Sequence, residues 1–209
     1  MTPAAARART LGHARSTHST EDGVAVRMAT ISNRWTLDEL HRLPDDGNKY
    51  EIVQGVLFVT PPPSVGHEEI AALLGRILDR YVETHRLGRV YRPRAVIQTR
   101  DSEVEPDLMV RRVSRSEVWS EAPLPILVVE IASPSTQRRD RGDKRGFYVD
   151  LGVPEYWIVD GEDLSVRAIR GNASDVVVRD ALEWRPAGAA EPLVIRLPDF
   201  FDEARSPTV

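Results

Sequence analysis

"ILVVEIASPSTQRRDRGDKRGFY", Ile126 to Tyr148, decides how this chain is read. Its first seven residues are apolar except for one acid, Glu130. Side chains alternate along an extended strand, so Leu127, Val129 and Ile131 face one way while Val128 and Glu130 face the other. Both faces are otherwise apolar, which is the pattern of a central strand covered on both sides. A carboxylate in that setting must be paired, protonated or bound to a metal. A buried pair with one of the chain's many arginines, or a strand end that reaches solvent, would also accommodate it. Downstream, "DKRGFYVDLG" reads as a helix ending at Gly152. Phe147, Tyr148 and Leu151 lie three, four and seven residues after Lys144, so the lysine shares their face and packs toward the sheet. Lysine is almost never buried without a partner. Two arrangements are open: a surface pair with Asp140 one turn back, or an ammonium that reaches carboxylates at the edge of the sheet.

A second acid lies near the end of another strand. In "EPDLMV", Glu105 to Val110, Pro106 suits the first position of a strand because it has no N–H to give. Asp107 follows, sharing its face with Glu105 and Met109, while Leu108 and Val110 take the other. Asp, Glu and Lys together have a chemical logic. Hard oxygen ligands select Mg²⁺ or Mn²⁺ rather than zinc. Such an ion can hold a scissile phosphate and activate water, and a nearby ammonium can orient that water or offset developing charge.

Composition narrows the field. The chain has 209 residues, 41% hydrophobic and 29% charged, with a formal charge of −4 and no cysteine. Disulfide frameworks, thiol catalysis and cysteine-ligated zinc are excluded. The lack of cysteine fits a cytoplasmic setting. No apolar run has the length to cross a bilayer, so no membrane role is expected, and no signal-peptide core is evident. The overall charge does not mark a nucleic-acid binder. Arginines nevertheless cluster at 86–94, 111–115 and 138–145, either as solvated faces or as a phosphate-facing rim around an acidic centre.

Residues 1–32 carry few large apolar side chains and read as a disordered tail. The same composition describes a transit peptide, and Met28 offers an alternative start. Residues 33–209 read as a single domain. "WTLDELHRLP" gives a short helix with Thr36 and Glu39 as a capping box. "KYEIVQGVLFVT" gives two strands turning at Gln54-Gly55. "SVGHEEIAALLGRILDRYVETHRLG" is the longest helix. "RVYRP", "AVIQT", "EPDLMVR", "EYWIVD", "SVRAIR", "VVVR" and "LVIRL" read as strands, "EVWSEAPLP" as a loop and "DFFDEA" as a last short helix. The order predicts one α/β (α+β) domain with a central mixed sheet flanked by helices. The serines and threonine of "SPST" have no base at a persuasive spacing and read as a turn that aims Glu130 and launches the next helix.

Pro106-Asp107 followed by Glu130 at the end of an apolar strand resembles the core of the PD-(D/E)XK nuclease superfamily. More narrowly, "YEIVQGVLFVTPPPSVGH", "EPDLMV", "LVVEIASPSTQRRDRGDKRGFYVDLGVPEYWIVD" and "LPDFF" resemble the Uma-two family, which is grouped with restriction endonucleases. The likeness spans about residues 34–202. The superfamily pattern departs at Ala132, where a lysine is usual; in the family the lysine is displaced to the next helix, the place of Lys144. The resemblance implies a restriction endonuclease-like fold and a DNA endonuclease using Mg²⁺ or Mn²⁺ as a homodimer, to whose contact an exposed strand such as "EYWIVD" would contribute. It implies Asp107, Glu130 and the Ile131 carbonyl as metal ligands, Lys144 as the catalytic lysine, and Glu51 as a further acid holding water or a second metal. His67, Gln98, Arg138 and Arg139 are weaker candidates for nucleic-acid contacts. Another phosphate ester as substrate, or a non-catalytic nucleic-acid-binding or assembly module keeping the fold, are the alternatives. No helix-turn-helix, zinc finger or RNA-binding platform is evident.

Overall fold

The architecture follows from where apolar faces can be covered. A computed structural model describes residues 34–133 and 136–206; the side chains of residues 137 and 138 fall outside that set, and so do the expected tail and the candidate Arg138. The elements in chain order are α1 (Leu37–Leu40), β1 (Lys49–Val53), β2 (Val56–Thr60), α2 (Val65–Thr84), β3 (Arg89–Tyr91), β4 (Ile97–Gln98), β5 (Glu103–Val104), β6 (Leu108–Arg111), β7 (Leu127–Ala132), α3 (Gln137–Arg141), α4 (Asp143–Leu151), β8 (Tyr156–Asp160), β9 (Ser165–Ile169), β10 (Val176–Val178), β11 (Ala181–Trp184), β12 (Leu193–Arg196) and α5 (Leu197–Arg205).

The expected mixed sheet is present as six strands in the order β10-β9-β8-β7-β6-β3. Only β7 and β8 run parallel; the crossover between them carries α3 and α4. Two smaller sheets accompany it among the described residues, β2-β1-β5-β4 and β11-β12. Sequence reading left residues 181–184 unassigned. They form β11 because Leu182 and Trp184 alternate inward toward the core.

The strand β7 is covered on both faces, as its composition demands. Leu127, Val129 and Ile131 pack with α2, α5 and Trp157 on one side, and Val128 packs with Met109, Phe147, Tyr148 and Tyr156 on the other. The strand "EYWIVD", expected to be exposed and open to a partner subunit, is instead β8. It lies between β7 and β9 with every residue buried, because both of its faces are apolar and both edges are paired.

Local chemistry sets the ends of the elements. The Thr36–Glu39 capping box forms, with the Thr36 N–H donating to Glu39 at 2.8 Å. Gln54 and Gly55 both adopt positive φ, 49° and 81°, the conformation of a two-residue hairpin whose twist suits the flanking strands. The helix α4 ends at Gly152 in the left-handed region, φ 85°. The 3₁₀ turn Trp119–Glu121 lies inside the expected loop.

Candidate active site

Asp107 and Glu130 are placed by pairing of neighbouring strands. Leu108 lies opposite Val129 in the antiparallel β6–β7 ladder. One step further along that register puts Asp107 opposite Glu130, on the same face of the sheet. The Ile131 N–H confirms the closeness by donating to Asp107 Oδ2 at 2.8 Å. The N–H and C=O of one residue leave a strand on the same side, so the Ile131 carbonyl also points toward β6 and Asp107.

Lys144 is buried, and it does not form the surface pair with Asp140. Its Nζ donates to Glu130 Oε1 at 2.7 Å and lies 2.8 Å from Glu51 Oε1. The helical-face argument therefore leads to the sheet, with α4 presenting its lysine to acids from two different sheets. Tyr148, one turn along, donates its hydroxyl to the same Glu130 oxygen at 2.8 Å. Both donors converge on Oε1, and among the described residues none reaches Oε2. Replacing Tyr148 with Phe removes a charge-assisted hydrogen bond and should cost about 1.5–3 kcal/mol, read as a lower urea midpoint at an unchanged slope.

Glu51 is more than a polar strand position. It is fully buried; its Oε1 also accepts the Glu105 N–H at 2.8 Å. Arg139 Nη1 lies 3.4 Å from Oε2, a charge contact without hydrogen-bond geometry. Arg139, read from sequence as a nucleic-acid contact, lies at the cleft lining with most of its side chain held in this network. It donates to Thr60 Oγ1 at 2.6 Å, stacks over Phe58 and lies beside Asp140. Gln98 does not line the cleft; it donates to Glu103 at 2.7 Å, and Glu103 with His41 forms the wall there.

His67 does come to the site. It occupies the first turn of α2, and its Nε2 lies 3.1 Å from Asp107 Oδ2. Sequence reading missed Lys49, whose Nζ lies 3.2 Å from Asp107 Oδ1 and donates to the Glu105 carbonyl at 3.0 Å. A signal for it existed: Lys49 sits two residues before Glu51 and so shares its strand face. Asp140, also buried, adds a fourth acid.

Asp107, Glu130, Ile131, Lys49 and His67 face a cleft of about 1210 Å³, whereas Lys144, Glu51 and Tyr148 lie behind Glu130. Electrostatics differ sharply across it. Burial alone would raise the Asp107 carboxyl, but Lys49 and His67 outweigh it and hold the group well below the usual range. Burial likewise raises Glu51, yet Lys144, Lys49 and Arg139 bring it below its ordinary value. Burial, with Asp107 and Asp140 nearby, pushes Glu130 up to about 7 despite Lys144. Burial would lower His67, and its bond to Asp107 raises it. The two acids that face each other across the strand pair are therefore shifted in opposite directions. Perturbed carboxyls gathered in one cleft are a mark of functional sites.

Among the described residues no three His, Asp or Glu side chains are grouped as a metal site. The available set is two carboxylates and a backbone carbonyl, all hard oxygens. That suits Mg²⁺, which keeps several waters and takes few protein ligands beside phosphate.

The mixed sheet flanked by helices is a restriction endonuclease-like fold. The chain belongs to the Uma2 family, described as "Putative restriction endonuclease", whose model matches residues 37–203. Its fold is similar to that of a "putative nuclease belonging to DUF820" from Anabaena variabilis ATCC 29413, with a TM-score of 0.70 at 23% identity, over 81% of this chain and 99% of that one. No curated protein matches the chain.

Proposed function

We propose that this chain is a divalent-metal-dependent DNA endonuclease that hydrolyses phosphodiester bonds with water as nucleophile. The observation that carries the reading is Glu130, a buried carboxyl at the floor of the cleft, opposite Asp107 and fixed from behind by Lys144 and Tyr148. Asp107, Glu130 and the Ile131 carbonyl would hold Mg²⁺ or Mn²⁺. The bound ion supplies Lewis acidity, lowering the pKa of water and neutralising charge on a phosphate.

The chain's own groups set up that chemistry. Lys144 and Tyr148 clamp one oxygen of Glu130, leaving the other for the cleft. Glu51 holds Lys144 in place and is itself tied to the Glu105 N–H. On the cleft wall, Arg92 and Arg94 supply positive charge suited to a polyanion. The reading extends to a cytoplasmic homodimer, whose two sites would serve the two strands of a duplex. No helix among the described residues is long and apolar enough to cross a membrane.

Glu130 gives the proposal a pH dependence. Burial and the nearby Asp107 and Asp140 push its carboxyl up to about 7, so as pH falls through that value a proton competes with the cation for Glu130. Cleavage should rise with pH through about 7 and level off above it; a rate that falls over that interval would contradict the assignment. The sign for stability is opposite. Between the ordinary 4.5 and about 7 the folded chain keeps a proton that the unfolded chain has shed, so this group makes the fold less stable as pH rises.

A non-catalytic module is the competing reading, favoured by one observation: both Asp107 oxygens already have partners in Lys49, His67 and Ile131. Incubation of the protein with supercoiled and linear DNA in Mg²⁺, Mn²⁺ or EDTA separates the two. The endonuclease reading expects metal-dependent nicking; intact DNA of both forms in both metals favours the module.

A further inference from the structure

Lys49 is the one ammonium that touches Asp107, and nothing in a metal-dependent site explains its position. Lys144 pairs with Glu51 and Glu130 from deep inside the fold, and Arg139, at the cleft lining but 9% exposed, pairs with Glu51 and Asp140 rather than with Asp107. Lys49 differs in three respects. It opens β1 where the strand meets the cleft, its side chain is 20% exposed, and its second partner is only the Glu105 carbonyl. Asp107 Oδ2 already meets the Ile131 N–H and His67, so a divalent cation on Asp107 would compete with Lys49 for Oδ1, and two cations sharing one carboxylate oxygen repel strongly where solvent is scarce.

Resting on the endonuclease reading above, we infer that Lys49 competes with the divalent cation for Asp107, is displaced from that carboxylate when the cation binds, and then contacts a phosphate of the bound DNA. The four-carbon stem makes this possible. A lysine is a compact charge on a flexible chain that can re-aim without moving its strand, and the same cleft holds both its present partner and any phosphate beside the acids. His67 is held differently. It projects from the first turn of α2, and its Nδ1 is buried within 3.4 Å of Glu68, so the ring has less freedom to leave. The exchange keeps the site's charge near balance in both states: an ammonium offsets Asp107 without the metal, and phosphate offsets the ammonium with it.

The test is Mn²⁺ titration of the full chain without DNA, followed calorimetrically for wild type, Lys49→Met, Lys49→Gln, Arg94→Met and Asp107→Asn. Displacement predicts that either Lys49 variant binds Mn²⁺ at least tenfold more tightly. Arg94→Met removes an exposed cleft charge whose ion pair among the described residues is with Asp45, and it should change affinity less than threefold. Lys49→Gln serves if the methionine variant does not fold. Equal or weaker binding in the Lys49 variants, or a gain no larger than that of Arg94→Met, overturns the inference and leaves the endonuclease reading standing, provided wild type binds and Asp107→Asn does not. If neither wild type nor the Lys49 variants bind Mn²⁺, both readings fall. In Ca²⁺, the log–log salt slope of DNA affinity should shrink by about 1 in the Lys49 variants; an unchanged slope removes the phosphate contact.

Discussion

Lys144→Met is expected to yield a chain that folds less stably and does not cleave DNA. The substitution strands two buried carboxylates, Glu51 and Glu130, each within 2.8 Å of the ammonium it removes. Breaking a buried pair costs about 3–5 kcal/mol, because the remaining charge has no compensation. Glu130 can relieve part of this by taking a proton, since its carboxyl is already raised to about 7; Glu51, held below its ordinary value, cannot do so as readily. Adding Glu51→Gln should therefore restore much of the lost stability, as read by denaturant midpoints. Cleavage should not return. Lys144 fixes the Glu130 carboxylate, and letting such a group shift by about 1 Å costs on the order of 10²-fold. A double variant that regained both stability and cleavage would reduce Lys144 to a structural ion-pair partner.

Asp107→Asn carries the second large effect, with the opposite balance between fold and activity. The amide oxygen still accepts the Ile131 N–H that Asp107 accepts at 2.8 Å, so the loss of stability should stay within about 1–3 kcal/mol. The negative charge that would hold a cation is gone, and with it several kcal/mol of charge stabilisation, on the order of a thousandfold or more in rate. Metal affinity and cleavage should fall together while circular dichroism remains native. Asparagine also frees Lys49 and His67 from their shared partner, so the variant should be less affected by salt than wild type in its apo stability.

The opening stretch carried much of this in its periodicity. Two periods, 2 in the strand and 3.6 in the helix, put Glu130 and Lys144 on faces that turn out to meet. Both positions stand out because a charged residue interrupts an apolar pattern. Local pattern cannot show which distant strands pair. The sheet divides into a six-stranded layer and two smaller ones because β1 pairs with β5 and not with β6, a choice made by tertiary packing. The same limit hid the partners of Asp107. Lys49 and His67 reach it from β1 and α2, 58 and 40 residues away in sequence. Only the shared face of Lys49 and Glu51 hinted at it. Arg139 shows another side of this: a basic run marks it as a phosphate contact, but only the fold shows that its guanidinium, at the cleft lining, also rests against Glu51 and Phe58. Lys144 itself departs from the simple picture of a lysine facing substrate, since it stands behind Glu130 and acts on the cleft through that carboxylate.

The central claim is that Asp107 and Glu130 together hold a divalent cation that this chain uses to cut DNA. Nicking of supercoiled DNA by the full chain, run in Mn²⁺ and in EDTA for wild type and for Asp107→Asn, tests it most directly. The account predicts nicking by wild type in Mn²⁺, none in EDTA, and none by the folded variant. Nicking that persists in EDTA or survives Asp107→Asn would contradict it.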